Sequence, residues 1–276
     1  MSVVTLGPLL IAADRLVWFA AFGLAVLVGT TLAQRRRARL VDRLFALAFV
    51  GLVAARLVFV ARHAALYAPH PLQILDIRDQ GFDLWGGLAA VALYALIAGW
   101  RVPALRVPLA GALAAGALGA SLGLWGLAVL DTQPTHLSTI PLARANQADT
   151  SLAGLAETAP DKPMVVNLWA SWCGPCRREM PMLARAQTQY PGVVFVFVNE
   201  DDTRDAMQRF LADTGLRLEH QLIDTQHRLA QARAVRGYPT TLFFDADGEH
   251  RARHTGVLSP AMLAERLRGL TDSAPD

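Results

Sequence analysis

The sequence predicts a chain of two parts, an all-α transmembrane bundle of about four helices followed by an α/β domain. Three observations predict it. The hydrophobic fraction is 53%, high for a soluble globular chain, and the excess is uneven. Residues 1–130 are long apolar runs broken by short basic patches, whereas residues 135–276 have ordinary globular composition. In the second part, strand-like and helix-like runs alternate. The chain's two cysteines stand together at one strand-to-helix junction, in Trp172-Cys173-Gly174-Pro175-Cys176.

The expected boundaries are 1–132 for the membrane domain, 133–160 for a linker and domain edge, and 161–276 for the α/β domain. Four apolar segments are read as spans: Leu16 to Ala33, with an extension toward Leu6 interrupted by Asp14 and Arg15, then Leu44 to Val60, Gly86 to Trp100 and Val107 to Leu130. A span needs roughly 20 apolar residues. The third segment is short by that measure, but without it the fourth would reverse direction. The loop between the first two spans carries Arg35, Arg36, Arg37, Arg39 and Arg43, and the loop between the last two carries Arg101 and Arg106. The positive-inside rule puts both in the cytoplasm. Four spans then place both the N-terminus and everything after Leu130 outside it. The first segment lacks a basic n-region and its positive charge follows the apolar run, unlike a cleavable signal peptide. The basic residues, all Arg except Lys162, cluster beside apolar segments. That pattern suits a lipid bilayer as partner and excludes nucleic acid.

Arg56 lies inside the second span. An ionisable residue there is a functional candidate by default; it also lies near the outer end, where a long side chain can snorkel. Arg56-Leu57-Val58-Phe59-Val60, Pro71-Leu72-Gln73-Ile74-Leu75 and Asp83-Leu84-Trp85-Gly86-Gly87-Leu88 resemble the N-terminal part of the prolipoprotein diacylglyceryl transferases. That family's essential His falls at Trp85 here, its signature Arg falls at Ala117, and its later spans are missing. The resemblance, over about residues 8 to 130, implies a degenerate, truncated membrane scaffold. The small-residue run Ala110 to Gly126 suits close helix packing.

The stretch Asp131 to Asp161 holds Pro134, Pro141 and Pro160 among polar residues and reads as a tether. Thr150 to Leu155 is expected to be a short strand and turn. Beyond it, strands are predicted at Met164–Trp169, Val193–Val198, His220–Ile223, Thr240–Asp245 and Glu249–His254. Helices are predicted at Cys176–Tyr190, Thr203–Thr214, Gln226–Val235 and Pro260–Leu270. Continuous apolar strands alternating with helices argue for a sheet covered on both faces. Asp245-Ala246-Asp247-Gly248 is a hairpin turn signal.

A Cys-x-x-Cys pair at a strand-to-helix junction is a redox motif. At the first turn of a helix, unpaired N–H groups and the macrodipole favour a thiolate at Cys173, and the thiolate is the nucleophile of disulfide exchange. Pro175 suits that turn because it needs no N–H partner, Gly174 completes the two-residue spacer, and Trp172 flanks the pair. Cys176, one turn on and more buried, suits the resolving role. A zinc site wants four ligands and the pair has no second pair to complete one, so no metal is expected. His220 and His227 are expected at the surface. Glu179 lies one turn beyond Cys176 on the same face. Burial beside the thiols would raise its pKa toward proton transfer; a solvated Glu paired with Arg177 or Arg178 is the alternative.

The order of elements resembles the thioredoxin fold, and more closely the membrane-anchored thiol-disulfide proteins of the TlpA/ResA/CcmG type. The residues carrying the match are Asn167-Leu168-Trp169-Ala170-Ser171-Trp172-Cys173-Gly174-Pro175-Cys176, Glu179 with Pro181, Asn199 with Glu200 and Asp201, and Gly237-Tyr238-Pro239-Thr240-Thr241. The resemblance implies a thioredoxin-fold domain with no cofactor beyond the Cys173–Cys176 dithiol. It also implies a cis-proline at Pro239 facing the pair, and an acid–base role for Glu179 in place of the buried Asp that thioredoxin has where Asn167 stands. The backbone of Tyr238 would then pair with an extended substrate chain, while its ring serves substrate choice or packing.

The function expected is a membrane-anchored extracytoplasmic thiol-disulfide oxidoreductase that reduces protein disulfides. A disulfide oxidase or isomerase with the same site is the alternative, and a diacylglyceryl transferase with a thioredoxin appendage is a second. Because the membrane half has no cysteine, a separate membrane electron donor is expected to re-reduce the pair.

Overall fold

The computed structural model describes residues 3–6, 9–69, 71–130, 134–144, 148–200 and 203–271. The chain divides into two units, residues 1–75 with 81–132, and residues 76–80 with 133–276.

In the first unit an antiparallel hairpin, β1 (Val3–Leu6) and β2 (Leu9–Ala12), leads into helices. These are α1 (Ala13–Ala33), α2 (Arg37–Arg62), the short α3 (Ala64–Tyr67), α4 (Leu84–Arg101) and α5 (Arg106–Leu130). Four segments, Arg15–Ala33, Arg37–Arg62, Leu84–Arg101 and Pro103–Leu130, are long and apolar enough to cross a membrane. Two helices begin earlier than the apolar runs alone indicate. Arginine is a good helix former, so α2 continues back through Arg43 and Arg39 to Arg37. The Asp83 carboxylate accepts from the Gly86 N–H at 2.7 Å and caps α4, which lengthens the short third segment to 18 residues.

Helix α1 packs along α5, and α2 along α4. The small residues of α5 make the first pairing close. A Cβ at Gly123 would fall 2.5 Å from a methyl of Val17, and one at Gly116 would fall 3.1 Å from the Cβ of Ala25. Arg56 does not snorkel. It is buried, and it donates to the carbonyls of Ile74 (3.0 Å), Gln73 (3.1 Å) and Gly81 (2.8 Å). Its guanidinium also lies over the rings of Tyr67 and Phe82. Arg56 therefore staples the connection between α2 and α4, meeting two carbonyls of the 3-10 turn Pro71–Leu75 and that of Gly81 beyond it.

The second unit is a six-stranded mixed sheet in the order β3-β6-β5-β4-β7-β8. Its elements are β3 (Ala143–Arg144), α6 (Leu152–Glu157), β4 (Met164–Trp169), α7 (Gly174–Gln189), β5 (Val194–Glu200), α8 (Arg204–Thr214), β6 (His220–Asp224), α9 (Arg228–Ala232), β7 (Thr240–Phe244), β8 (His250–Thr255) and α10 (Pro260–Thr271). β4, β5 and β6 run parallel; β7 is antiparallel to β4, β8 to β7, and β3 to β6. β4, β5 and β7 are buried along their whole length. That is why they read as largely apolar runs, and each buried Val, Leu, Phe or Met side chain among them contributes about 1.5–3 kcal/mol.

The stretch Thr150 to Leu155 departs from the strand expected there. Only Thr150 pairs, as an isolated bridge with Leu142. Ser151 then caps a helix by accepting from the Gly154 N–H at 3.0 Å, and Leu152 and Leu155, spaced by one turn, enter the core. Residues 134–160 thus supply a strand, a helix and core side chains. Asp245 to Gly248 forms the expected turn, with Gly248 at φ 78° and its N–H on the Asp245 carbonyl.

Candidate redox site

The site forms where β4 ends. Cys173 is the N-cap of α7 and is joined to Cys176 in a disulfide, Cα atoms 5.2 Å apart. Both are buried, Cys176 completely. The Cys176 N–H donates to the Cys173 sulfur at 3.2 Å. A sulfur at this cap meets the free N–H groups of the first turn and the positive end of the helix dipole, and Pro175 occupies a first-turn position where it forfeits no bond. The same arrangement favours the Cys173 thiolate once the disulfide opens.

Trp172 stands 61% exposed beside the pair. Its indole meets the Tyr238 ring edge-on, centroids 6.4 Å apart. The Tyr238–Pro239 bond is cis. Because Thr240 pairs with Leu168 and the Cys173 N–H donates to the Ala170 carbonyl, the start of β7 and the cysteine loop lie at the same end of the sheet.

Glu179 is 2% exposed. It does not pair with Arg177 or Arg178 as a solvated helix Glu would. Its Oε1 accepts from the Asn167 side-chain amide at 2.8 Å, and its Oε2 accepts from the Leu258 backbone N–H at 2.8 Å. The Asn167 amide also donates to the Thr241 hydroxyl at 3.0 Å. Burial pushes the Glu179 carboxyl up to about 7, against the two hydrogen bonds that pull it down. A carboxyl with that pKa, one turn from the more buried sulfur, exchanges protons readily at neutral pH.

Sequence reasoning missed some of these contacts. Leu258 and Thr241 escaped because a backbone donor and a neighbouring-strand hydroxyl carry no local signal. His227, expected at the surface, is half-buried there, its side chain 35% exposed with one ring nitrogen reaching inward. Its Nδ1 lies 3.1 Å from Oε2 of the fully buried Glu200. The Tyr238 hydroxyl lies 3.4 Å from the same carboxylate oxygen. Asp201 lies outside the described residues. Among the described residues no cluster of three or more His, Cys, Asp or Glu is arranged to hold a metal ion. In the first unit, Trp85 stands 77% exposed where the transferase motif has its His.

The redoxin family model matches residues 137–266, and the prolipoprotein diacylglyceryl transferase model matches residues 2–127. Thiol:disulfide interchange protein HelX of Rhodobacter capsulatus is 31% identical over 121 residues, which cover 44% of this chain and 68% of that protein. Thiol:disulfide interchange protein DsbE of Pseudomonas fluorescens biotype C is 33% identical over 117 residues, 41% of this chain and 65% of that one. Thiol-disulfide oxidoreductase ResA of Halalkalibacterium halodurans is 32% identical over 106 residues, 38% and 60%. The chain thus spans somewhat less than two thirds of the DsbE and ResA proteins.

Proposed function

We propose a reductive function from one premise: the chain belongs to the redoxin-domain family of thiol:disulfide interchange proteins. In this reading it is a membrane-anchored, extracytoplasmic thiol-disulfide oxidoreductase whose Cys173–Cys176 pair reduces disulfides in proteins. The observation that carries it is the capped, buried disulfide with a neutralisable carboxyl one turn away.

The Cys173 thiolate attacks one sulfur of a substrate disulfide. The substrate S–S bond breaks, a Cys173–substrate bond forms, and the first substrate thiolate takes a proton from solvent. Glu179, as carboxylate, takes the proton of the Cys176 thiol. The Cys176 thiolate attacks the Cys173 sulfur and expels the second substrate thiolate, which is protonated in turn. Two electrons pass to the substrate, and the chain ends as the Cys173–Cys176 disulfide. Trp172, Tyr238 and Pro239 line the approach, Asn167 orients Glu179, and Gly174 and Pro175 shape the first turn of α7.

Re-reduction needs two electrons from outside the chain, because the two cysteines are its entire thiol content. A separate membrane protein is the proposed donor. The arginines at the α1–α2 junction (Arg35, Arg36, Arg37, Arg39 and Arg43) and the two that flank the α4–α5 connection (Arg101 and Arg106) favour a cytoplasmic side for those ends, hence a periplasmic side for the redox unit and the bacterial inner membrane as its site. Absence of a His between the cysteines favours reduction over strong oxidation, because a His there stabilises the reduced form.

The test uses the purified full-length chain, reduced and mixed with a disulfide-bonded peptide. Stoichiometric appearance of two peptide thiols, lost in Cys173→Ala, is the expected result. Disulfides formed in a reduced peptide faster than they are reduced in an oxidised one would favour the oxidase instead.

A further inference from the structure

Glu200 ends β5, the strand beside β4, with Asn199 paired to Trp169. It stands about one strand spacing, roughly 4.8 Å, from the strand that delivers Cys173. Its side chain is fully buried. A carboxylate there costs desolvation unless donors meet it, and an apolar residue of similar size would fill the space without that cost. Two of the groups that meet it come from separate elements and converge. The His227 Nδ1 lies at 3.1 Å, the Tyr238 hydroxyl lies at 3.4 Å, and the hydroxyl lies 3.3 Å from the same His227 nitrogen. His227 sits in the left-handed region at φ 54°, a conformation unfavourable for a residue other than glycine. The β6–α9 connection holds it there, with the His227 N–H on the Asp224 carbonyl.

The other end of this cluster is at the redox pair. Tyr238 is the residue immediately before Pro239, and its ring faces the exposed indole of Trp172. Fixing the phenol at its hydroxyl fixes the ring, and with it one wall of the approach to Cys173. A wall set before binding spares a polypeptide substrate the cost of ordering it. A small disulfide needs only the sulfur.

We propose that Glu200 and His227 are positioning residues that hold Tyr238 as a preformed wall for polypeptide disulfides, and so set the preference for these over small disulfides. The inference rests on the reductase reading above.

The experiment compares the reduced full-length protein on a disulfide-cyclised peptide and on a small aryl disulfide, in single turnovers over a range of concentrations. In Tyr238→Phe, which removes only the hydroxyl, the half-saturating peptide concentration is expected to rise about tenfold, as for one lost polar contact, with the limiting rate changing less than about twofold. The ratio of peptide to aryl-disulfide rate constants falls by the same factor. His227→Ala reproduces this, and Glu200→Gln, which keeps an acceptor oxygen, loses less than Glu200→Ala. Should the Glu200 variants fail to fold, Tyr238→Phe and His227→Ala still decide. Equal losses on both substrates, or an unchanged ratio in Tyr238→Phe, overturn the positioning role while leaving the reductase reading intact. Reduction of neither substrate by the wild type overturns that reading and this inference with it.

Discussion

Each unit of this chain buries a functional-looking ionisable residue, and the two are buried in opposite ways. Arg56 is surrounded by acceptors: three carbonyls from the α2–α4 connection and two aromatic faces. Glu179 has two donors, one from a strand side chain and one from a loop backbone. An arginine has five N–H donors in a fixed fork and no neutral form to retreat to in a protein, so its burial builds structure. A carboxyl can shed its charge, so its burial tunes a pKa instead. Burial of a charge therefore marks chemistry only when the group can titrate in the working range.

Breaking each half of this comparison gives effects of different size. Arg56→Leu removes the donor to the carbonyls of Gln73, Ile74 and Gly81, and leaving several such groups unpaired is expected to cost about 3 kcal/mol or more. Protease cleavage between residues 70 and 82 in reconstituted membranes reads it. Rapid cleavage is expected in Arg56→Leu and slower cleavage in Arg56→Lys, whereas a connection equally resistant in all three breaks the staple account.

Glu179→Gln tests the other half. The folded-state pKa is raised from 4.5 to about 7, so the folded chain binds the proton more tightly than the unfolded chain. The neutral carboxyl's contribution is complete below about pH 4.5 and is lost as pH rises through about 7. The wild type is thus expected to lose up to about 3 kcal/mol relative to Glu179→Gln between those limits. Denaturant titrations of the oxidised proteins at several pH values measure the difference. A difference that does not change with pH removes the titrating role. At pH 7 the same substitution is expected to slow release of the mixed disulfide by about 100-fold.

The smallest effect sharpens the boundary of the redox unit. Ser151→Ala deletes the cap of α6 and is expected to cost about 1 kcal/mol in the unfolding of that unit. No change would mean that residues 134–160 unfold apart from the sheet.

Much of this was legible in the residues themselves. The central strands announce themselves because β4, β5 and β7 are buried on both sides, so no polar alternation interrupts them. The cysteine pair is legible because its chemistry depends on a helix start that Gly174-Pro175 encodes locally. Strand β3 has two residues and leaves no period to detect. Leu152 and Leu155 fit a short strand as well as a turn of helix, and only the Ser151 cap decides. The Glu200–His227 contact joins residues 27 apart through a loop in a left-handed turn, and a single His in a polar stretch gives no sign of which way it faces. Arg56 was visible as an anomaly and Pro71–Leu75 as a motif, but nothing in the residues shows that the one donates to the backbone carbonyls of the other.

The central claim is that Cys173 attacks and Cys176 resolves. It is tested most directly by mass spectrometry of Cys176→Ala and Cys173→Ala, each produced in the membrane and quenched with acid and alkylating reagent. The account predicts mixed disulfides at Cys173 in Cys176→Ala, released by dithiothreitol, and almost none in Cys173→Ala. Mixed disulfides accumulating at Cys176 in Cys173→Ala, with none at Cys173 in the other variant, would contradict it.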